Sequence, residues 1–116
     1  MSGNPYEPVR LSESRIRSPE PGLCRQVLAY TQKLMMVRHI MDKGWVGIRH
    51  SHPHEQLVYV VRGHIRAEMK GIVLDAHAGD SFVVPGGVEH QAHALEESEV
   101  LDVFTPFRQE YVEADA

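Results

Sequence analysis

The stretch Gly44-Trp45-Val46-Gly47-Ile48-Arg49-His50-Ser51-His52-Pro53-His54-Glu55-Gln56-Leu57-Val58-Tyr59-Val60-Val61-Arg62-Gly63 holds three of the chain's eight histidines, His50, His52 and His54, within five residues. Imidazoles this dense are costly to bury together unless something binds them. Residues two apart on a strand share a face, so an extended run over 45–51 projects His50 and His52 together. Pro53 cannot donate to a ladder and favours a break, which makes Pro53-His54-Glu55 a tight turn into a strand that starts at Gln56. That turn predicts a hairpin in which two imidazole nitrogens and the Gln56 carboxamide oxygen converge. His90 follows the turn Pro85-Gly86-Gly87 and is the candidate for a fourth ligand. Three imidazoles and one oxygen suit one divalent first-row transition metal (Zn, Ni, Fe, Mn or Cu), whereas Mg and Ca prefer oxygen throughout. His39, His64 and His77 lack such company and read as surface histidines, and Met35, Met36, Met41 and Met69 as barrel packing rather than metal ligands.

Outward from this stretch the same texture continues. Short apolar or alternating runs fall at 27–31, 34–40, 45–51, 56–62, 64–70, 72–76, 81–85, 89–94 and 100–105, many of them separated by Gly, Pro or Asp turn chemistry. Nine short β-prone runs at this spacing predict an all-β antiparallel sandwich or barrel, with one weak helical turn around residues 109–114. A length of 116 residues is enough for one domain and its core. Residues 1–24, with Pro5, Pro8, Pro19 and Pro21, are expected to form an irregular N-terminal arm, and 25–116 the single domain. Arg10, Arg15, Arg17 and Arg25 are spread among glutamates and are expected to be solvated.

Charge and composition narrow the function. A net charge of −4 argues against nucleic acid, which demands a concentrated positive footprint. No apolar run approaches a membrane span, and residues 1–8 lack the basic-then-apolar pattern of a signal peptide. Cys24 is the one cysteine, so no internal disulfide calls for an oxidising compartment. A cytoplasmic location is the expectation.

The glycines around the histidines carry a resemblance. Gly44, five residues, His50-x-His52, three residues, Gln56, six residues and Gly63 match the first motif of the cupins position for position. Gly79, five residues, Pro85-x-Gly87, two residues and His90 match the second. The chain thus resembles a small single-domain cupin, and the resemblance implies a double-stranded β-helix, or jelly-roll barrel, with His50, His52, Gln56 and His90 as metal ligands. Two departures stand out: Gln56 occupies a position where the pattern usually has Glu, and Ala94 one where it usually has Asn. A neutral carboxamide leaves the metal's charge uncancelled, which favours an anionic substrate.

Further runs narrow the resemblance. Ala29-Tyr30-Thr31, Leu34-Met35-Met36-Val37, Ala94-Leu95-Glu96 and Leu101-Asp102-Val103-Phe104, with Pro106, Arg108 and Tyr111, are similar to the small cupins of pectin and alginate breakdown. That likeness implies conversion of 4,5-unsaturated monouronates to the linear keto acid, and a homodimer. The residues can be read for this task directly. Asp102 and Phe104 share a strand face; Asp102 is a candidate general acid/base or a partner of a ligand histidine, and Phe104 a pocket wall or a core residue. Arg108 is a candidate carboxylate clamp, or else solvated. Tyr30 and Tyr59 are further candidates for the cavity wall. The competing readings are a cupin dioxygenase, which would consume oxygen, and a non-catalytic sugar-binding cupin, which would bind a uronate without turnover.

Overall fold

Along β9 (Ser98–Thr105) every second residue, from Ser98 through Val100 and Asp102 to Phe104, is buried, while those between are half-buried. The same alternation runs through β3 (Met35–Met41), where Met35, Val37 and Met41 are closed to solvent. A period of two with one apolar face is what a sheet covering a core requires. The computed structural model describes residues 6–115. The remaining strands are β1 (Arg17–Glu20), β2 (Leu23–Tyr30), β4 (Glu55–Arg62), β5 (His64–Met69), β6 (Ile72–His77), β7 (Ser81–Val84) and β8 (His90–Ala94). One short helix, α1 (Gln109–Asp115), follows β9.

These strands form two antiparallel sheets, a six-stranded one in the order β1-β2-β3-β9-β4-β7 and a three-stranded one in the order β6-β5-β8. Their inner faces close on a core of Leu23, Met41, Val58, Val60, Ile65, Ala76, Ala94 and Val100, against which Trp45, Phe82 and Ala92 pack. A second cluster, Val27, Met35, Val37 and Phe104, lies at the end of the barrel that α1 covers with Tyr111 and Val112. The expected jelly-roll architecture is therefore present. No helix among the described residues is long and apolar enough to cross a membrane.

Nine strands agree in number with the nine runs, but the membership differs. Residues 45–51 do not form a strand; their main chain pairs with β8 at two isolated bridges, Val46↔His93 and His50↔His90. Four steps on one side face three on the other, so an extra residue breaks the ladder, as in a bulge. Gly47 marks the irregularity, since a Cβ there would come within 2.8 Å of the Trp45 ring. The histidine-bearing run therefore lies beside β8 and makes no hairpin with β4. At the other end, Arg17–Glu20 pairs with β2 as β1, and Leu23 and Cys24 belong to β2, so residues 6–24 are not irregular throughout. Residues 1–5 of the expected arm lie outside the described residues.

Gly63, between β4 and β5, has φ of +97°, and a Cβ there would collide with the Ser98 side chain and the Glu97 carbonyl. Glycine is thus required twice over, by backbone conformation and by space.

Candidate metal centre

Two backbone clamps assemble the site. His50 N donates to His90 O at 3.0 Å and His90 N returns the bond to His50 O at 2.8 Å, which locks two of the imidazole-bearing residues side by side. The turn carrying Gly86 and Gly87 is pressed against the loop carrying His52. Gly87 N donates to His52 O at 2.8 Å, and a Cβ on Gly86 would come within 2.5 Å of Pro53 O. The two motifs of the sequence thus meet through main-chain contacts.

His50, His52 and His90 come together so that one ligand atom from each lies within 4.8 Å of the others. Each ring uses Nδ1 on a carbonyl: His50 on Ile48 O (2.9 Å), His52 on His54 O (3.0 Å) and His90 on Val88 O (2.9 Å). A carbonyl only accepts, so each Nδ1 carries the proton and each Nε2 is left with a lone pair. Outer hydrogen bonds of this kind fix the tautomer a metal needs. Burial pushes the pKa of His52 below the ordinary value, with the positive charge of Arg108 adding to it, and burial likewise lowers that of His90. Both effects favour the neutral, ligating imidazole.

Gln56 is the fourth candidate donor. Its Nε2 donates to Asp102 Oδ1 at 2.9 Å, which turns Oε1 toward His52 Nε2 at 3.1 Å. A carboxylate accepts and does not donate, so the amide's orientation follows from its partner. The neutral His52 ring then faces Gln56 Oε1 with a lone pair, and two acceptors set against each other at hydrogen-bond distance are what a cation between them would relieve. The residues present fit a divalent transition metal: three neutral imidazoles and one uncharged oxygen.

Asp102, 3% exposed, links this set to His39, which is not the surface histidine its sequence context predicts. Its Oδ2 lies 2.6 Å from His39 Nδ1, and the His39 side chain is only 12% exposed. His39 alternates inward with Met35, Val37 and Met41 on β3, and that parity was the available signal. His64 and His77 do lie away from the triad, on the sheet of β5 and β6; His64 Nε2 meets Asp75 at 2.8 Å.

Phe104 is 1% exposed and meets the His52 and His54 rings edge-on, so it is at once core and site wall. Arg108 is not simply solvated: its guanidinium lies 4.4 Å from the centre of the Tyr111 ring and 5.0 Å from that of Phe104, and it pairs with Glu110 at 2.8 Å. Arg25, expected at the solvated surface, lies 3.9 Å from the centre of the Tyr111 ring, with Nε buried and without a hydrogen-bond partner. Burial raises the pKa of the Tyr111 hydroxyl. A cavity of about 280 Å³ joins these groups, lined by His50, His90, Gln56, Asp102, His39, Arg25, Arg108 and Tyr111 at its polar end and by Trp45, Ile65 and Phe82 among others at its apolar end. Tyr59 is 45% exposed and Tyr30 stacks on Phe107, so neither lines the cavity. Ala94, where the cupin pattern has Asn, is a fully buried core residue whose main chain bonds to Gly44 and Trp45.

Comparison with known proteins agrees with this architecture. Residues 37–104 match the family described as "Cupin domain". The chain is 31% identical over 93 residues to the pectin degradation protein KdgF of Dickeya dadantii (strain 3937), covering 78% of this chain and 84% of that one. Among solved structures, KdgF from Halomonas sp. superposes with a TM-score of 0.86 at 37% identity, over 90% of this chain and 97% of that one. An RmlC-like cupin from Shewanella frigidimarina NCIMB 400 superposes with a TM-score of 0.84 at 35% identity, over 88% and 92% of the two chains.

Proposed function

The chain belongs to the cupin family, and from that membership together with its likeness to the pectin degradation protein KdgF of Dickeya dadantii and to KdgF from Halomonas sp. we propose that it opens the ring of 4,5-unsaturated monouronates to give the linear keto acid. The observation that carries the proposal is the set of three clustered imidazoles with Nδ1 committed to carbonyls, the Nε2 of His52 facing Gln56 Oε1, beside a buried carboxylate and two guanidinium groups.

The reaction is an isomerisation. The O1 hydroxyl gives up its proton as the C1–O5 bond breaks, O5 becomes the C5 carbonyl oxygen, and the C4=C5 electron pair takes up a proton at C4. His50, His52, His90 and Gln56 would hold the divalent metal, which when bound supplies Lewis acidity toward the substrate's carboxylate or a neighbouring oxygen. Arg108 and Arg25 draw the anionic sugar into the cavity, and a guanidinium fork matches the two oxygens of its carboxylate. Phe104 offers an apolar face against the ring carbons. The proton work falls to the Asp102 carboxylate and the imidazole bonded to it.

The test is direct. Purified protein mixed with freshly generated 4,5-unsaturated galacturonate should remove the ultraviolet absorbance of the conjugated double bond well above the spontaneous rate, equally fast without oxygen. Saturable binding with no turnover would replace this reading by that of a sugar-binding module, and oxygen consumption by that of a dioxygenase. The homodimer belongs to the same proposal: exposed Leu57, Tyr59 and Val83 lie on the outer face of the paired strands β4 and β7. Light scattering that gives the mass of a single chain would end it.

A further inference from the structure

We infer that His39 is a catalytic residue of this site, the group that carries the proton to and from the sugar through Nε2, and that Asp102 is the positioning residue that holds it. The inference rests on the uronate reading proposed above and assigns its proton transfer to a particular atom.

The geometry separates the two members of the pair. Asp102 has both carboxylate oxygens engaged, Oδ1 with Gln56 Nε2 at 2.9 Å and Oδ2 with His39 Nδ1 at 2.6 Å. Its side chain is 4% exposed, against 12% for that of His39. A carboxylate whose two oxygens each already accept a hydrogen bond, on the more deeply buried of the two side chains, is the held member of the pair and the less well placed to exchange a proton with a sugar. His39 lines the cavity and commits only Nδ1 among the described residues, which leaves Nε2 as the proton-active atom of the pair. A carboxylate on one imidazole nitrogen and the substrate on the other is the arrangement in which an acid orients a base.

The surroundings suit an anionic substrate at this point. Arg25 is the register partner of His39 on β2 and Val100 its partner on β9. Tyr111 meets the His39 ring edge-on at 6.3 Å, and Arg108 and Glu20 line the same cavity. The charged and titratable groups that share the cavity with His39 are therefore Asp102, Arg25, Tyr111, Arg108, Glu20, His50 and His90. In the reaction Nε2 accepts the proton that leaves O1 and gives one to C4 as the C4=C5 pair closes on it. The O5 pair becomes the C5 carbonyl, and the His39–Asp102 pair ends the cycle in the state in which it began.

The experiment uses the metal-loaded protein and 4,5-unsaturated galacturonate in D2O. The unaltered chain should place deuterium at one of the two C4 positions of the product. His39→Ala should lower kcat by about 10²–10³-fold with metal per chain unchanged, regain at least about tenfold on addition of free imidazole, and scatter deuterium over both C4 positions. His39→Gln keeps the side chain's bulk and a donor for Asp102, and guards against a packing failure; it should be as slow as His39→Ala. Asp102→Asn added to His39→Ala should cost less than about threefold more, since groups that act as a unit are not additive. A His39→Gln variant within threefold of the unaltered kcat would overturn the assignment, as would single-sided deuterium in a slow His39→Ala variant deaf to imidazole. An unaltered chain that leaves the uronate untouched would overturn the underlying reading as well, and that result is visible before any variant is made.

Discussion

Two regions of the barrel interior are built on the same strands with opposite chemistry. Met41, Val58, Val60, Ile65 and Val100 form an apolar cluster in the lumen. One step along the same inner face, β3, β9 and β4 each turn one polar residue inward: His39, Asp102 and Gln56. Asp102 is register partner of Val37 on β3 and of Val58 on β4, so His39 and Gln56 are its diagonal neighbours on either side. Diagonal pairs across adjacent strands lie within reach of such side chains, and here they form a line of hydrogen bonds from the imidazole of His39 to the triad. Beyond the line the face turns apolar again at Val37 and Phe104. On the proposed reading the polar line carries the chemistry while the apolar region carries stability, and the two can be broken separately.

The largest effect should come from the triad. His90→Ala removes one of three imidazoles while keeping the main-chain bonds that pair this position with His50. We expect metal per chain to fall close to zero by mass spectrometry and uronate loss to drop to the spontaneous rate, with far-ultraviolet circular dichroism unchanged. A variant that keeps both its metal and its turnover would detach the chemistry from the triad.

Gln56→Glu asks whether the line needs a neutral link. It sets a second carboxylate against Asp102 Oδ1, where the amide now donates at 2.9 Å. Two carboxylates this close cannot both ionise freely, and the metal loses part of its positive charge. Metal should be retained while kcat falls by about tenfold or more, following the effect expected when a positioned acid/base pair is disturbed. Unchanged turnover would remove any role for the neutral oxygen.

Stability should divide the regions in the opposite sense. Ile65→Ala in the apolar lumen, at a residue 2% exposed, should cost about 2–5 kcal/mol in denaturant unfolding. Replacing the whole line by His39→Leu, Gln56→Leu and Asp102→Val should be neutral or stabilising by about 1–4 kcal/mol, because a buried polar network gives up its desolvation penalty when it is removed entire. Turnover should vanish in the same protein. A large loss of stability there would mean that the line also holds the barrel together.

How far these regions could be read in the sequence follows from what each depends on. Alternation made the strands and the inward faces of Asp102 and Phe104 legible, and glycine spacing brought His90 to the other two histidines. His39 was missed because a single histidine among the methionines of β3 gives no local sign of its partner, which lies 63 residues away on β9. Arg25 was missed likewise, since its stacking on Tyr111 depends on where α1 comes to rest after β9. Residues 45–51 misled in another way: their pattern is strand-like, but Gly47 and one extra residue against β8 break the ladder. The candidate ligands converge all the same, because main-chain bonds rather than a hairpin hold them.

The smallest effect should lie outside the lumen, on the outward side of β9. Glu99 accepts from Arg38 Nε at 2.8 Å and has Arg62 Nε at 3.4 Å, with the Arg38 and Glu99 side chains 20% and 16% exposed. The hydrogen bond from Arg38 holds the Glu99 pKa below the ordinary glutamate value, with burial working against it and the charges of Arg38 and Arg62 adding to the lowering. A carboxyl with a lower pKa folded than unfolded stabilises the protein above the unfolded value and loses that contribution as pH falls through the folded one. Solvent screening keeps the term small, so Glu99→Gln should cost less than about 1 kcal/mol at neutral pH. In denaturant unfolding the gap between the two proteins should close as the pH is brought down through the acidic range, while uronate turnover at neutral pH stays the same. A gap that widens in acid would mean that Glu99 is held by something other than its two arginines, and a loss of turnover would extend the catalytic region through the sheet to its outer face.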